Sequence, residues 1–423
     1  MEKIRSRNVN WQNYLKNLLI GFSVVFFATY IVTFFQVDGG DFITHIAWAK
    51  RFSFAYLSEY LLKVTPYPLW HFLVKTCKVV FDIEWSAAAS LVTATVNGFS
   101  FLASVWTQKV LFPEMDDTEG HTIFWIICLM FVGPLYVPRF NDIYYLGQGT
   151  GNIWHNPSNI MVKLFAIVAF CIIAKIVKKQ ENASREEIIA LAVILVLSVI
   201  AKPAFLQAII PGLGLYMVIR LCIDKSKEEF IKFLIVAASF IPAVIIMFFQ
   251  LYITLFGTTR GSKMEGELTI GEGMVLSNYQ QGIGVAWGKV YEYWTPNIYV
   301  SFLLAFAFPL FVFLFNYRKL IKDKVVQLVL CYELAAWLES VLLYQRGPGE
   351  RSGNFFWASY LSMYVIWMIM LYHFLITLKE MNKKNVREYI YIFGGVGLFA
   401  IHLILGIMYA INFVWPYMIK ELG

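Results

Sequence analysis

Charge is the first thing this sequence lacks: only 15% of its 423 residues are Asp, Glu, Lys or Arg, against 59% hydrophobic and 17% aromatic residues. Soluble domains carry about 25% charged residues, so a fully water-exposed surface is excluded. Cysteine is sparse as well. Cys77, Cys128, Cys171, Cys222 and Cys331 fall in apolar segments without zinc-site spacing, and read as small hydrophobes. No phosphate-binding glycine loop is present, because Lys263 in the glycine-rich run 257–273 is not followed by Ser or Thr. Low-complexity tracts and fixed-period repeats are absent too.

What is present is a succession of apolar stretches close to the ~20 residues needed to cross a bilayer. The expected fold class is all-α, a polytopic membrane protein with about eleven transmembrane helices in a single domain, 1–423. The spans are expected to begin near Asn13, Trp85, His121, Asn159, Glu186, Ala204, Phe230, Ile298, Val326, Phe356 and Tyr389. The first follows Lys3, Arg5, Arg7 and Lys16 and lacks a small-residue cleavage site. It therefore reads as a retained anchor, with the mature chain beginning near Met1.

Lysine and arginine placement sets the expected orientation. Clusters at Lys175, Lys178, Lys179 and Arg185, at Arg220, Lys225, Lys227 and Lys232, at Arg318, Lys319, Lys322 and Lys324, and at Lys379, Lys383, Lys384 and Arg387 belong with the N-terminus on the cytoplasmic side. The C-terminus then lies outside. The net charge of +7 is topological in this reading, and no nucleic-acid partner is expected. Counting parity makes the segment Phe52–Ile83, broken by Lys63, Pro66, Pro68, Lys75 and Lys78, a set of interfacial helices after the first span, with a true span paired with a missed half-helix as the alternative.

Four polar regions are thereby placed outside: 37–84, 139–158, 257–297 and 345–356. In the first, Asp38-Gly39-Gly40-Asp41 and His45 sit where the first span has just surfaced, a costly place for acids without a purpose. The second mixes Arg139, Asp142, Gln148, Asn152, His155 and Asn156 with aromatics and glycines. Amides bond sugar hydroxyls and aromatic faces cover a pyranose, so this mixture suits a sugar; a capped loop with an interfacial aromatic belt is the plainer alternative. The glycine-rich start of the third reads as a flap over an acceptor. In the fourth, Arg346 and Arg351, with Asn354, lie on the side where positive residues are disfavoured, and suit a lipid phosphate or pyrophosphate; a surface pair of Arg346 or Arg351 with Glu350 is the plainer alternative. Lys202, before Pro203 at a break between two apolar segments, faces a cavity or snorkels. His71, His121, His373 and His402 read as packing or hydrogen-bonding residues.

Taken together, these residues resemble the GT-C polytopic glycosyltransferases. The likeness is architectural and covers most of the chain: one span, an acidic first loop with Asp38 and Asp41, and proline-marked helices around Pro66-Tyr67-Pro68-Leu69-Trp70-His71. Asp82-Ile83-Glu84-Trp85 is similar to that family's lead-in to the second span. The paired acidic motif with histidine of the mannosyltransferase branch and the soluble C-terminal domain of oligosaccharyltransferases are absent.

The resemblance implies a bacterial-type plasma-membrane enzyme moving a sugar from a polyprenyl-phosphate donor to an extracytoplasmic glycan or lipid acceptor. Asp41 would be the base, with Asp38 as runner-up or ligand, and His45 would orient Asp41 or touch the carrier phosphate. Asp41 could equally cap the helix after it. Arg346 and Arg351 would hold the phosphate, while Gln148, Asn152, His155 and Asn156 would contact sugar hydroxyls. No cofactor is required; a divalent cation, Mg or Mn, is optional at Asp38, Asp41 and His45, with Asp142 and His155 as further donors. A polysaccharide polymerase and a lipid-linked glycan flippase or transporter stay open as alternatives. A flippase is expected to place charges at mid-depth, whereas the polar clusters legible here lie at the outer ends of spans.

Overall fold

The computed structural model describes residues 11–36, 40–115, 120–140, 149–179, 183–224, 227–256, 283–346, 350, 353–381 and 385–422. The flap expected at 257–273 lies outside them. Among the described residues the chain is all-α apart from a two-stranded ribbon, in which β1 (Ile283–Val285) pairs antiparallel with β2 (Leu343–Gln345).

Nine described helices are long and apolar enough to cross a membrane. They are α1 (Trp11–Gln36), α5 (Trp85–Leu111), α7 (Pro157–Lys178), α9 (Ala204–Asp224), α10 (Lys227–Phe256), α11 (Ile298–Phe315), α13 (Lys324–Leu342), α14 (Phe356–Glu380) and α15 (Val386–Leu422). Polar side chains start several of them. Asn297 caps α11, Asp323 caps α13, and Ser184 with Glu187 forms a capping box on α8 (Arg185–Ala201). Helix α8 has 17 residues and stops at Lys202-Pro203. The short helices α2 (Gly40–Arg51), α3 (Leu57–Lys63) and α4 (Leu69–Phe81) fill the segment expected to stay out of the count of spans, and α12 (Tyr317–Leu320) is one turn. Val79, Val80 and Phe81, all exposed at the tip of α4, suit a helix resting against lipid.

Two of the eleven expected spans differ: α8, at 17 residues, is not among the nine, and α6 is far shorter. Helix α6 (His121–Leu129) has nine residues, which at 1.5 Å each reach less than half of a ~30 Å hydrocarbon core. Gly133-Pro134 follows four residues past its end and keeps the helix from resuming, because proline disfavours helical geometry in the residue before it. The chain must still reach the opposite end of the bundle to begin α7, and its described residues on the way, 130–140 and 149–156, are not helical. Its freed backbone groups are answered from inside the protein. Asn152 Nδ2 donates to the carbonyls of Leu129 (2.8 Å) and Val132 (3.0 Å), and Gly133 N donates to the His402 carbonyl (3.0 Å). His402 Nδ1 lies 2.6 Å from the Gly133 carbonyl, and Leu135 N donates to Leu304 (3.1 Å). Irregular backbone among membrane helices survives only with such partners.

Helix α14 is the axis of the bundle: 89% of its apolar window is buried, against 28% for α1, α10 and α15. It packs on α13, α9, α11 and α7. The four basic clusters gather at one end, tied by Lys175 and Lys179 to Glu187, Lys324 to Glu229 and Lys319 to Glu380. At the other end begin α2, α7, α9 and α14.

Candidate functional site

Asn156 is the centre of that second end. With Pro157 at the first helical position of α7, it is an Asn-Pro start whose side-chain oxygen accepts from the Asn159 backbone (2.9 Å) and from Ser158 Oγ (2.9 Å). The same Oδ1 accepts from Lys202 Nζ at 3.2 Å. Its amide nitrogen donates to Asp41 Oδ2 at 2.5 Å. One side chain thus joins a carboxylate from α2 to an ammonium from the α8–α9 break. Asp41 lies in the first turn of α2, after Gly40 at φ +57°, a left-handed conformation that glycine adopts at no steric cost. Its carboxylate is committed to Asn156 across the site, so a purely local capping role does not describe it.

Lys202 is buried at 7% exposure because Pro203 breaks the helix just after it. Proline has no N–H for the carbonyl four residues earlier, that of Val199. Gln250 of α10 fills the gap, donating through Nε2 to Val199 (2.9 Å) and to Pro66 (3.0 Å). A single amide therefore ties the Lys202 break to the turn that precedes α4. The ammonium lies 4.3 Å from the centre of the Trp357 ring, and His155 packs against that same ring at 5.6 Å.

Beside this cluster, His45 Nδ1 and His71 Nε2 are 2.8 Å apart. Trp48, Trp70 and Tyr60 enclose the pair, and Trp70 is fixed by its indole N–H donating to Thr93 (3.1 Å).

The electrostatics follow from burial. Desolvation brings Lys202 down to about 7, partly opposed by Asp41. Desolvation also takes His155 to about 4, with Asp41 pulling up and Lys202 pushing down. His45 is held well below its usual value by burial, then by His71 and Lys202, and burial takes His71 to about 3. Lys202, Asp41, His155 and His45 thus share one largely buried polar cluster. Four helix N-termini converge on it and add positive potential.

Of the residues expected from sequence, Asp41, His155, Asn156 and Lys202 are brought together, with His45 next to them. Asn152 is not free for a sugar: its amide serves the α6 carbonyls and its oxygen accepts from Lys163 Nζ at 3.3 Å. Arg139 and Arg346 are exposed and, among the described residues, make no hydrogen bond or ion pair with the cluster. Asn354 donates to Gln345 (2.7 Å). Glu350, a natural partner for Arg346, instead accepts from Tyr293 (3.0 Å) and faces Lys289 (3.5 Å). Asp38, Asp142, Gln148 and Arg351 lie outside the described residues. Among the described residues, no group of three or more His, Cys, Asp or Glu converges on a metal position.

Sequence reasoning missed His71, Trp357 and Gln250. Only the Pro66-x-Pro68 context of His71 and the proline after Lys202 hinted at them. It also missed buried charge within spans: Lys163 in α7 and Glu333 in α13 are both 4% exposed, so polar groups are not confined to helix ends.

Fold and composition define a multi-pass α-helical membrane protein. Comparison with protein-family models and with curated proteins finds no match.

Proposed function

We propose that the protein is a membrane glycosyltransferase of GT-C type that moves a sugar from a polyprenyl-phosphate carrier to a glycan or lipid acceptor. One observation carries the reading: Asn156 holds the Asp41 carboxylate and the Lys202 ammonium on opposite ends of one amide, under the Trp357 ring. Each part has a use in transfer. Asp41 takes the proton of the acceptor hydroxyl as its oxygen bonds to the anomeric carbon. The bond from that carbon to the phosphate oxygen breaks, and the electron pair leaves with the phosphate. Lys202, rather than Arg346 and Arg351, meets that negative charge, helped by the N-termini of α7 and α9. Trp357 supplies a face for the sugar. The site lies at the end opposite the basic clusters, which supports an extracytoplasmic reaction with the N-terminus in the cytoplasm and the C-terminus outside.

A second reading, a transporter of lipid-linked glycans, draws on the unwound chain after α6 and on buried Lys163. Mass spectrometry of lipid-linked and surface glycans in a deletion strain separates the two. A transferase leaves one sugar missing and its monophosphate-linked donor accumulated. Accumulation of a complete lipid-linked glycan would favour the transporter.

A further inference from the structure

A second polar pocket lies at the basic end of the bundle, between α7, α9 and α10. On α9 it is lined by Leu213, Tyr216, Met217 and Arg220, and on α10 by Glu229, Lys232, Phe233 and Val236. Both sets recur at three- and four-residue spacing, so each is one face of its helix. Helix α9 ends and α10 begins at this end of the bundle. The charged members therefore sit toward the membrane surface, while Leu213 lies about two turns deeper than Arg220 and Val236 about one turn deeper than Lys232.

Among the described residues the lining carries two cations, Arg220 and Lys232, against one carboxylate, Glu229, and Lys324 answers that carboxylate at 2.6 Å. Lys232 is buried at 6% exposure, with Nζ donating to the Lys179 carbonyl (2.9 Å), and Arg220 Nη1 donates to Gln327 (3.5 Å). Tyr216 is an independent sign of a ligand. It is 4% exposed, one turn from Arg220 on the same face, and its hydroxyl has no hydrogen-bond partner among the described residues. Buried hydroxyls are almost always bonded, so this one is a donor in want of an acceptor. An anion held by Arg220 and Lys232 supplies one.

We propose that this pocket binds an anionic phospholipid from the leaflet at the basic end, with Arg220, Lys232 and Tyr216 donating to its phosphate and an acyl chain lying against Leu213, Phe233 and Val236. The order of the lining, cations at the surface and apolar side chains deeper, is the order of groups along such a lipid, and basic pockets between membrane helices are where lipid headgroups of this charge lodge. Val218 and Leu234, exposed at 53% and 49% on the same two helices, continue the apolar surface toward the bilayer. The pocket stands at the opposite end from Asp41, and its ligand is independent of glycosyl transfer.

The test titrates the full-length protein, in a non-ionic detergent, with dioleoyl-phosphatidylglycerol or dioleoyl-phosphatidylcholine and reads bound lipid by native mass spectrometry. One phosphatidylglycerol should bind at least about tenfold more tightly than phosphatidylcholine. Arg220→Gln with Lys232→Gln should erase that preference, whereas Arg318→Gln with Lys322→Gln, which removes exposed cations at the same end, should leave it within about threefold. Tyr216→Phe should weaken phosphatidylglycerol binding about tenfold, the scale of one hydrogen bond to a charged group, without lowering the thermal midpoint of the lipid-free protein, because its hydroxyl has no partner to lose. It carries the test if the double variant at Arg220 and Lys232 does not fold. Equal affinity for the two lipids, unchanged binding in Tyr216→Phe, or an equal loss in the Arg318 and Lys322 variant overturns the proposal. Displacement of the lipid by equimolar inorganic phosphate would mark a plain anion site and overturn it as well.

Discussion

Lys202 and Asp41 are linked through the two ends of a single amide, that of Asn156, at 3.2 and 2.5 Å. The amide keeps the opposite charges from collapsing into an ion pair, leaving each with capacity for a ligand.

Replacing Asn156 with Ala removes this spacer together with the cap of α7. The lost cap costs roughly 0.5–2 kcal/mol, which a helix packed along its whole length absorbs. Glycan output should nevertheless fall by at least about a hundredfold, because base and cation are no longer placed. Quantifying the surface glycan with matched protein levels checks this.

Lys202 makes donor binding depend on pH. Its folded value of about 7 means that the empty site loses its positive charge as pH rises through 7. Affinity for a phosphate-headed polyprenyl probe should therefore weaken between about pH 6 and pH 9, and Lys202→Met should remove both the affinity and its pH dependence. Binding that is flat across this range in the wild type contradicts the assignment.

The histidines give a stability signature with the opposite exposure to acid. His71 and His155 titrate near 3 and 4 when folded and near 6.5 when unfolded. Between those values the unfolded chain binds more protons, so stability rises with pH and drains away as pH falls below about 6.5. Thermal unfolding in detergent should show a lower midpoint at pH 5 than at pH 7, with the difference reduced in His71→Gln.

Gln250 sits far from Asp41 in sequence, yet Gln250→Leu leaves the Val199 and Pro66 carbonyls without their donor. Each buried unsatisfied group costs about 1–3 kcal/mol, so the variant should be less stable and should lose activity in step with the displaced Lys202. Asn152→Ala is its counterpart on the α6 side. It should cost stability by the same mechanism while sparing transfer, whereas a transporter would lose function there.

Much of this was legible in the chain. Apolar runs and basic clusters predicted the helices and their common basic end, since both follow from one-dimensional rules of length and charge. The acids after the first span, the Asn156-Pro157 start and the Lys202-Pro203 break were visible because proline and glycine punctuate the backbone. The short α6 was not: its apolar run is as long as a span, and only Gly133-Pro134 told against a helix. Nor could the sequence separate Asn152 from Asn156. Both sit in one polar stretch, and what divides them is which buried carbonyls lack a donor, a property of distant segments. His71 went unread as a partner of His45 because the pairing joins two helices across a turn.

The most direct test of the account is Asp41→Asn, which keeps the shape of the side chain and its contact with Asn156 but removes the base. With the variant present in the membrane at wild-type levels, the account predicts the glycan of the deletion strain, one sugar short, with the polyprenyl-linked donor accumulated. Wild-type glycan from Asp41→Asn, in a strain where deletion has an effect, would contradict it.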